Sequence, residues 1–229
     1  MRSAPMLLTL GNALLGVLAL YLILNGYVEA ILYVILLGAI LDTFDGWAAR
    51  KMGVSSALGA SADMVSDMVS FGVVPALLVA KVGGFPWGAL TGLLYLLAIG
   101  YRLLRFRLTP GIEEGFVGMP SPITALMVIS LSILASRIPH MSLLAAVGGI
   151  TFAIIGASKI PYPKWGHPAM VKLPKLFWVV LYVSHTIFFV FRPVEAVLSL
   201  MLIYMFVGPS LMHRYRVKQN NALNGAGVS

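Results

Sequence analysis

The stretch YVEAILYVILLGAILDTFDGWAAR, Tyr27–Arg50, decides how the rest of the chain is read. It is almost wholly apolar until Asp42 and Asp45, and no turn signal precedes them. As one helix it is about 36 Å long, enough to cross a hydrocarbon layer of about 30 Å. The break comes only at Lys51-Met52-Gly53. Two carboxylates therefore stand near one end of a membrane-spanning helix. An unpaired acid in lipid is costly, so that placement calls for a partner.

Working outward, similar apolar runs recur, separated by turn residues. The pattern predicts eight helices: Met6–Leu24, Tyr27–Arg50, Ser56–Lys81, Trp87–Arg107, Pro120–Ser136, Met141–Ser158, Leu176–Phe191 and Pro193–Met212. Asn25-Gly26, Gly83-Gly84-Phe85-Pro86 and Thr109-Pro110-Gly111 mark turns, and a basic, proline-rich loop covers Lys159–Lys175. The composition agrees: of 229 residues, 59% are hydrophobic and only 10% charged. That excludes an ordinary soluble globule, a disordered chain and a collagen-like fibre. The expected fold is an all-α, polytopic integral membrane bundle. Residues 1–218 form its single transmembrane domain and 219–229 a disordered polar tail. The first run lacks a small-residue cleavage site at its end and is expected to stay as a helix.

The charge is +8, with 16 Lys+Arg against 8 Asp+Glu. These cations sit between apolar runs, which fits loops at an anionic membrane face and not a nucleic-acid surface. With both termini inside, thirteen of the sixteen cations fall on the inner side, leaving Lys81, Arg137 and Arg192 outside. The expected placement is a multi-pass protein of the cell membrane with cytoplasmic termini. The absence of cysteine excludes disulfides, thiolate metal sites and cysteine nucleophiles. His167, His185 and His213 lack ligand-spaced partners.

Four of the eight acids, Asp42, Asp45, Asp63 and Asp67, fall within 26 residues. Spacings of i, i+3 and i, i+4 set each pair on one helical face. A short connection between helices 2 and 3 should make them antiparallel neighbours and bring all four carboxylates together near the inner face. Arg50 and Lys51 cannot neutralise four acids. A cluster of hard oxygen donors suits Mg²⁺ or Mn²⁺ ahead of Ca²⁺, and two ions are expected.

The full pattern is Asp42-x-x-Asp45-Gly46-x-x-Ala49-Arg50, eight residues, then Gly59-x-x-x-Asp63-x-x-x-Asp67. All eight fixed positions resemble the signature of the CDP-alcohol phosphotransferases, a match expected by chance on the order of 10⁻⁸. The resemblance implies transfer of a phosphatidyl-type group from a CDP-lipid to an alcohol, with release of CMP. It implies that Asp42, Asp45 and Asp63 bind metal and that Asp67 is the catalytic base and a further ligand. It also implies that Gly46, Ala49 and Gly59 leave room for the nucleotide, with Arg50 beside the pyrophosphate.

Further segments are similar to the CDP-diacylglycerol–serine phosphatidyltransferase branch. They include Thr9-Leu10-Gly11-Asn12, Ser70-Phe71-Gly72, Gly118-Met119-Pro120 and Ser158-Lys159-Ile160-Pro161. This resemblance implies an L-serine acceptor, a CDP-diacylglycerol or CDP-archaeol donor and a homodimer. Serine's carboxylate needs a cation, for which Arg102, Arg105, Lys159 and Lys164 are candidates. Glycerol phosphate or inositol phosphate is the alternative acceptor. A divalent-cation transporter is the alternative of another class, but it gives no reason for the fixed Gly46, Ala49, Arg50 and Gly59.

Overall fold

A computed structural model describes residues 4–52, 57–108, 115–164, 167–168 and 174–226, without the side chains of 4, 50, 175 and 220–226. Helix α1 spans Ala4–Leu24 and α2 Val28–Met52. Between them Gly26 takes φ +80°, and the amides of Gly26 and Tyr27 bond back to Ile23 and Leu22. This left-handed stop closes the last turn of α1 and reverses the chain.

Helix α3 spans Ala57–Asp67 and passes through a π-helical stretch, Met68–Val73, into α4, Val74–Gly83. The cause of the irregularity is partly visible in the sequence. Pro75 has no N–H, so the Phe71 carbonyl one turn earlier loses its helical donor. The buried Tyr95 hydroxyl donates to that carbonyl instead, at 2.9 Å. A tight turn over Gly84–Gly88 then leads into α5, Ala89–Leu108, which packs back against α4.

Helix α6, Ser121–Arg137, is the axis of the bundle. It is buried on nearly every side and touches α2, α4, α7, Ser142–Ala157, and the last helix. Helix α8 is Lys175–Phe191, and Pro193 ends it and starts α9, Pro193–Ala226. Among the described residues, Pro5–Leu24, Ala57–Leu108 and Pro193–Gln219 are long and apolar enough to cross a membrane. The second is folded into two legs by the turn after α4. Shorter apolar helices occupy Ser121–Arg137, Ser142–Ala157 and Leu176–Phe191. With apolar side chains exposed along these helices, the chain has the make-up of an all-helical membrane protein.

Helix α1 packs extensively on α2 and also on α3, while α2 meets the α3–α4 leg at Met68–Val73 and through the aspartates described below. Helix α9 runs through Ala226, and no proline or glycine interrupts Leu211–Asn224. A small antiparallel pair, β1 (Phe116–Val117) and β2 (Pro161–Tyr162), ties the loop after α5 to the loop after α7.

Candidate active site

Asp42 on α2 and Asp63 and Asp67 on α3 converge. Each offers a carboxylate oxygen, and the three lie within 4.8 Å of one another. The i, i+4 spacing stacks the two α3 acids on one face, while Asp42 approaches from α2. Asp63 Oδ1 is buried and has no hydrogen-bond partner among the described residues. An orphaned anionic oxygen beside two more carboxylates fits a hard divalent cation. No ion pair to these aspartates occurs among the described residues.

Asp45 stands outside that group of three. It is buried, and its Oδ2 accepts a 2.7 Å hydrogen bond from Thr9 Oγ1 of α1. Asp67 Oδ1 accepts from Asn12 Nδ2 of the same helix at 3.4 Å. Gly46 and Ala49 follow on α2, and Gly59 precedes Asp63 on α3, all partly accessible. Arg50 lies on α2, with its side chain outside the described residues.

The four candidate cations behave differently. Arg102 is 6% exposed; it donates through Nη1 to Ser121 Oγ at the start of α6, and its Nε has no partner among the described residues. Its charge is close enough to act on Asp42 and Asp67. Arg105 instead holds loops together: its guanidinium donates to the carbonyls of Val117, Ala157 and Ser158 at 2.7–3.0 Å. Gly118 completes that clip, with φ +79° and its amide on the Ile160 carbonyl. A Cβ there would strike the Gly156 and Ser158 carbonyls. Lys159 and Lys164 are exposed on the clipped loop, and Lys164 Nζ lies 5.7 Å from the Phe116 ring centroid.

Sequence reasoning assigned no role to Thr9, Asn12, Tyr95 or Ser121. The available signals were slight: polar residues three apart in an otherwise apolar first helix, and a carbonyl deprived of its donor by Pro75. It also missed that Arg107 Nη2 donates to Ser61 Oγ at 2.8 Å, joining α5 to α3 next to Asp63.

Apolar helices of membrane length and carboxylates collected from two helices define a helical membrane protein with a candidate divalent-cation centre. The sequence model of the CDP-alcohol phosphatidyltransferases matches residues 2–208, and the chain belongs to that family. It is therefore an enzyme of the CDP-alcohol phosphotransferase type. It is 32% identical to the CDP-diacylglycerol–serine O-phosphatidyltransferase of Bacillus subtilis, over 78% of this chain and 99% of the relative. It is 34% identical to the archaetidylserine synthase of Methanothermobacter thermautotrophicus, over 71% and 70% of the two chains. A CDP-diacylglycerol–serine O-phosphatidyltransferase of Methanocaldococcus jannaschii is 33% identical, over 87% and 89%.

Proposed function

We propose that the protein transfers a phosphatidyl-type group from CDP-diacylglycerol or CDP-archaeol to L-serine. The observation that carries this reading is the convergence of Asp42, Asp63 and Asp67 oxygens within 4.8 Å inside the family's motif. The serine assignment is supported by the relatives' names and by a buried arginine beside the acids.

In the reaction, the serine hydroxyl oxygen bonds to the phosphorus nearest the lipid, and the bond from that phosphorus to the CMP phosphate oxygen breaks. Asp67 accepts the hydroxyl proton. Gly46, Ala49 and Gly59 leave space for the nucleotide against the helices, and Arg50 is the cation assigned to its phosphates. Arg102 receives the serine carboxylate; Arg105, Lys159 and Lys164 are the other cations of the acceptor and phosphate region. Asp42, Asp45, Asp63 and Asp67 would hold Mg²⁺ or Mn²⁺, two ions in all, which when bound offset the pyrophosphate charge and stabilise departing CMP.

We assign eight spans to the chain: α1, α2, α3 with α4, α5, α6, α7, α8 and α9. Both termini and the site lie on the cytoplasmic side, where CDP-linked head groups and serine meet the bilayer, and the enzyme works as a homodimer. Purified protein should convert radiolabelled serine and a CDP-lipid into labelled lipid and equimolar CMP, with Mg²⁺ or Mn²⁺ required. Activity undiminished in excess chelator would remove the metal. A preparation that ignores serine but uses glycerol phosphate or inositol phosphate would remove the acceptor assignment and leave the chemistry.

A further inference from the structure

We infer that Asn12 is a positioning residue for Asp67, and that the absence of a side chain at Gly38 is what keeps its amide in place. Asn12 lies on α1, fully buried, where α1 packs against α2 and α3. Its Nδ2 donates to Asp67 Oδ1 at 3.4 Å. An ionised carboxylate can only accept, so the amide must turn its NH₂ edge to Asp67. The Oδ1 edge then points away, towards α2 at Gly38. There it is buried and has no hydrogen-bond partner among the described residues. A Cβ on residue 38 would lie 2.9 Å from that oxygen, closer than side-chain carbons sit in real structures.

The backbone of Asn12 is fixed as well. Its carbonyl accepts from Ser70 Oγ at 2.9 Å, so one residue is bonded to the Asp67-bearing segment at two points. One turn earlier Thr9 is held in the same manner. Its hydroxyl reaches Asp45, and its carbonyl accepts from Ser66 Oγ at 3.1 Å. Helix α1 thus supplies none of the carboxylates but fixes one from α2 and one from α3. A buried acceptor left orphaned is destabilising, so packing alone gives no reason for an asparagine at this place. Orientation of Asp67 does give one: the carboxylate oxygen held by the amide leaves the other free to face Asp42 and Asp63.

The inference rests on Asp67 belonging to the proposed metal centre. It is tested on the purified full-length chain in detergent, with Mn²⁺ binding followed by electron paramagnetic resonance and with kcat and serine KM measured separately. Asn12→Ala should weaken Mn²⁺ binding about 10- to 100-fold and lower kcat, leaving serine KM within about 2-fold. Gly38→Ala removes no polar group, yet it should weaken Mn²⁺ binding about 5- to 10-fold by displacing the amide. In the Asn12→Ala background the added methyl has room, so Gly38→Ala should then cost less than about 2-fold. Equal effects of Gly38→Ala in both backgrounds would mean that the glycine serves helix packing, and would overturn the inference. Should Asn12→Ala not fold, Gly38→Ala decides alone: wild-type Mn²⁺ affinity and kcat in that variant overturn it. A folded wild type that binds no Mn²⁺ overturns the metal centre itself, and this inference with it.

Discussion

At the start of α2, Glu29 accepts two hydrogen bonds from Arg137, which also bonds Glu195, and Glu195 is shared with Arg192. Lys81, at the same end of the bundle, donates to the Ile23 carbonyl at the close of α1. Thirteen residues along α2 from Glu29, about 20 Å away, Asp42 meets Asp63 and Asp67 with no ion pair among the described residues. One end of the bundle neutralises its acids from within the chain; the other collects three acids with no ion pair to them among the described residues. Charges that serve the fold are paired locally. Charges gathered against their own repulsion need a cation from outside, and that requirement marks the site.

The largest effect should come from the unpaired end. Asp63→Asn removes a charge from the three-carboxylate group and is expected to lower turnover by at least about 10³-fold. The same substitution relieves like-charge repulsion, so without divalent ions the variant should unfold at the same temperature as wild type or a higher one. A drop in both activity and metal-free stability would make Asp63 a structural acid and erase the contrast between the two ends. Smaller, but still kinetic, is the effect at Arg102. Arg102→Lys keeps the charge and loses the planar donor, and Arg102→Ala loses both. Loss of a charge-assisted hydrogen bond worth about 1.5–3 kcal/mol should raise serine KM roughly 10- to 150-fold in the alanine variant, less in the lysine one. Arg105, tied to three backbone carbonyls, should instead lower thermal stability when replaced by alanine. If Arg105→Ala raises serine KM more than Arg102→Ala does, the two roles are reversed.

Between the ends lies the π-helical stretch that carries α3 into α4. Tyr95→Phe deletes the side-chain donor to the Phe71 carbonyl, which the ring nitrogen of Pro75 cannot serve. A buried carbonyl left unpaired should cost about 1–3 kcal/mol of stability, read from a thermal melt of the purified protein. A neutral Tyr95→Phe would show that the local irregularity needs no side-chain support.

The parts of this molecule that were legible beforehand are those encoded locally. Apolar runs of membrane length, broken by glycine, proline and asparagine, outline helices such as α1, α2 and α6. The spacing of Asp63 and Asp67 fixes their common face regardless of what packs there. Contacts between distant segments were not legible in this way. Nothing in the pattern of α1 says that it joins α2 to α3, so Thr9-Leu10-Gly11-Asn12 could be matched to the branch without showing which partners Thr9 and Asn12 hold. Arg102 and Arg105 look alike in sequence, three apart at one helix end. They differ only because the loops from 115–120 and 158–162 fold over Arg105, while Arg102 turns inward to Ser121.

The smallest effect should come from the paired end, and it tests the other half of the contrast. Glu29 and Arg137 are 57% and 35% exposed in their side chains, so solvent screens much of their attraction. Glu29→Gln should therefore lower stability by only about 0.5–1 kcal/mol, with a difference that shrinks as salt is raised. Glu195→Gln should cost somewhat more, because its carboxylate is less exposed and serves both Arg137 and Arg192. Neither should change kcat or serine KM beyond about 2-fold, since the reacting groups lie about 20 Å away along α2. The discriminating variant is the charge swap, Glu29→Arg with Arg137→Glu. It restores the pair with reversed sign but sets a carboxylate against Glu195, so it should recover part of the stability lost in Arg137→Glu alone while activity stays at the wild-type level. If the swapped protein folds but loses turnover, the charges at this end are coupled to the aspartates through the bundle, and the two ends do not divide fold from function.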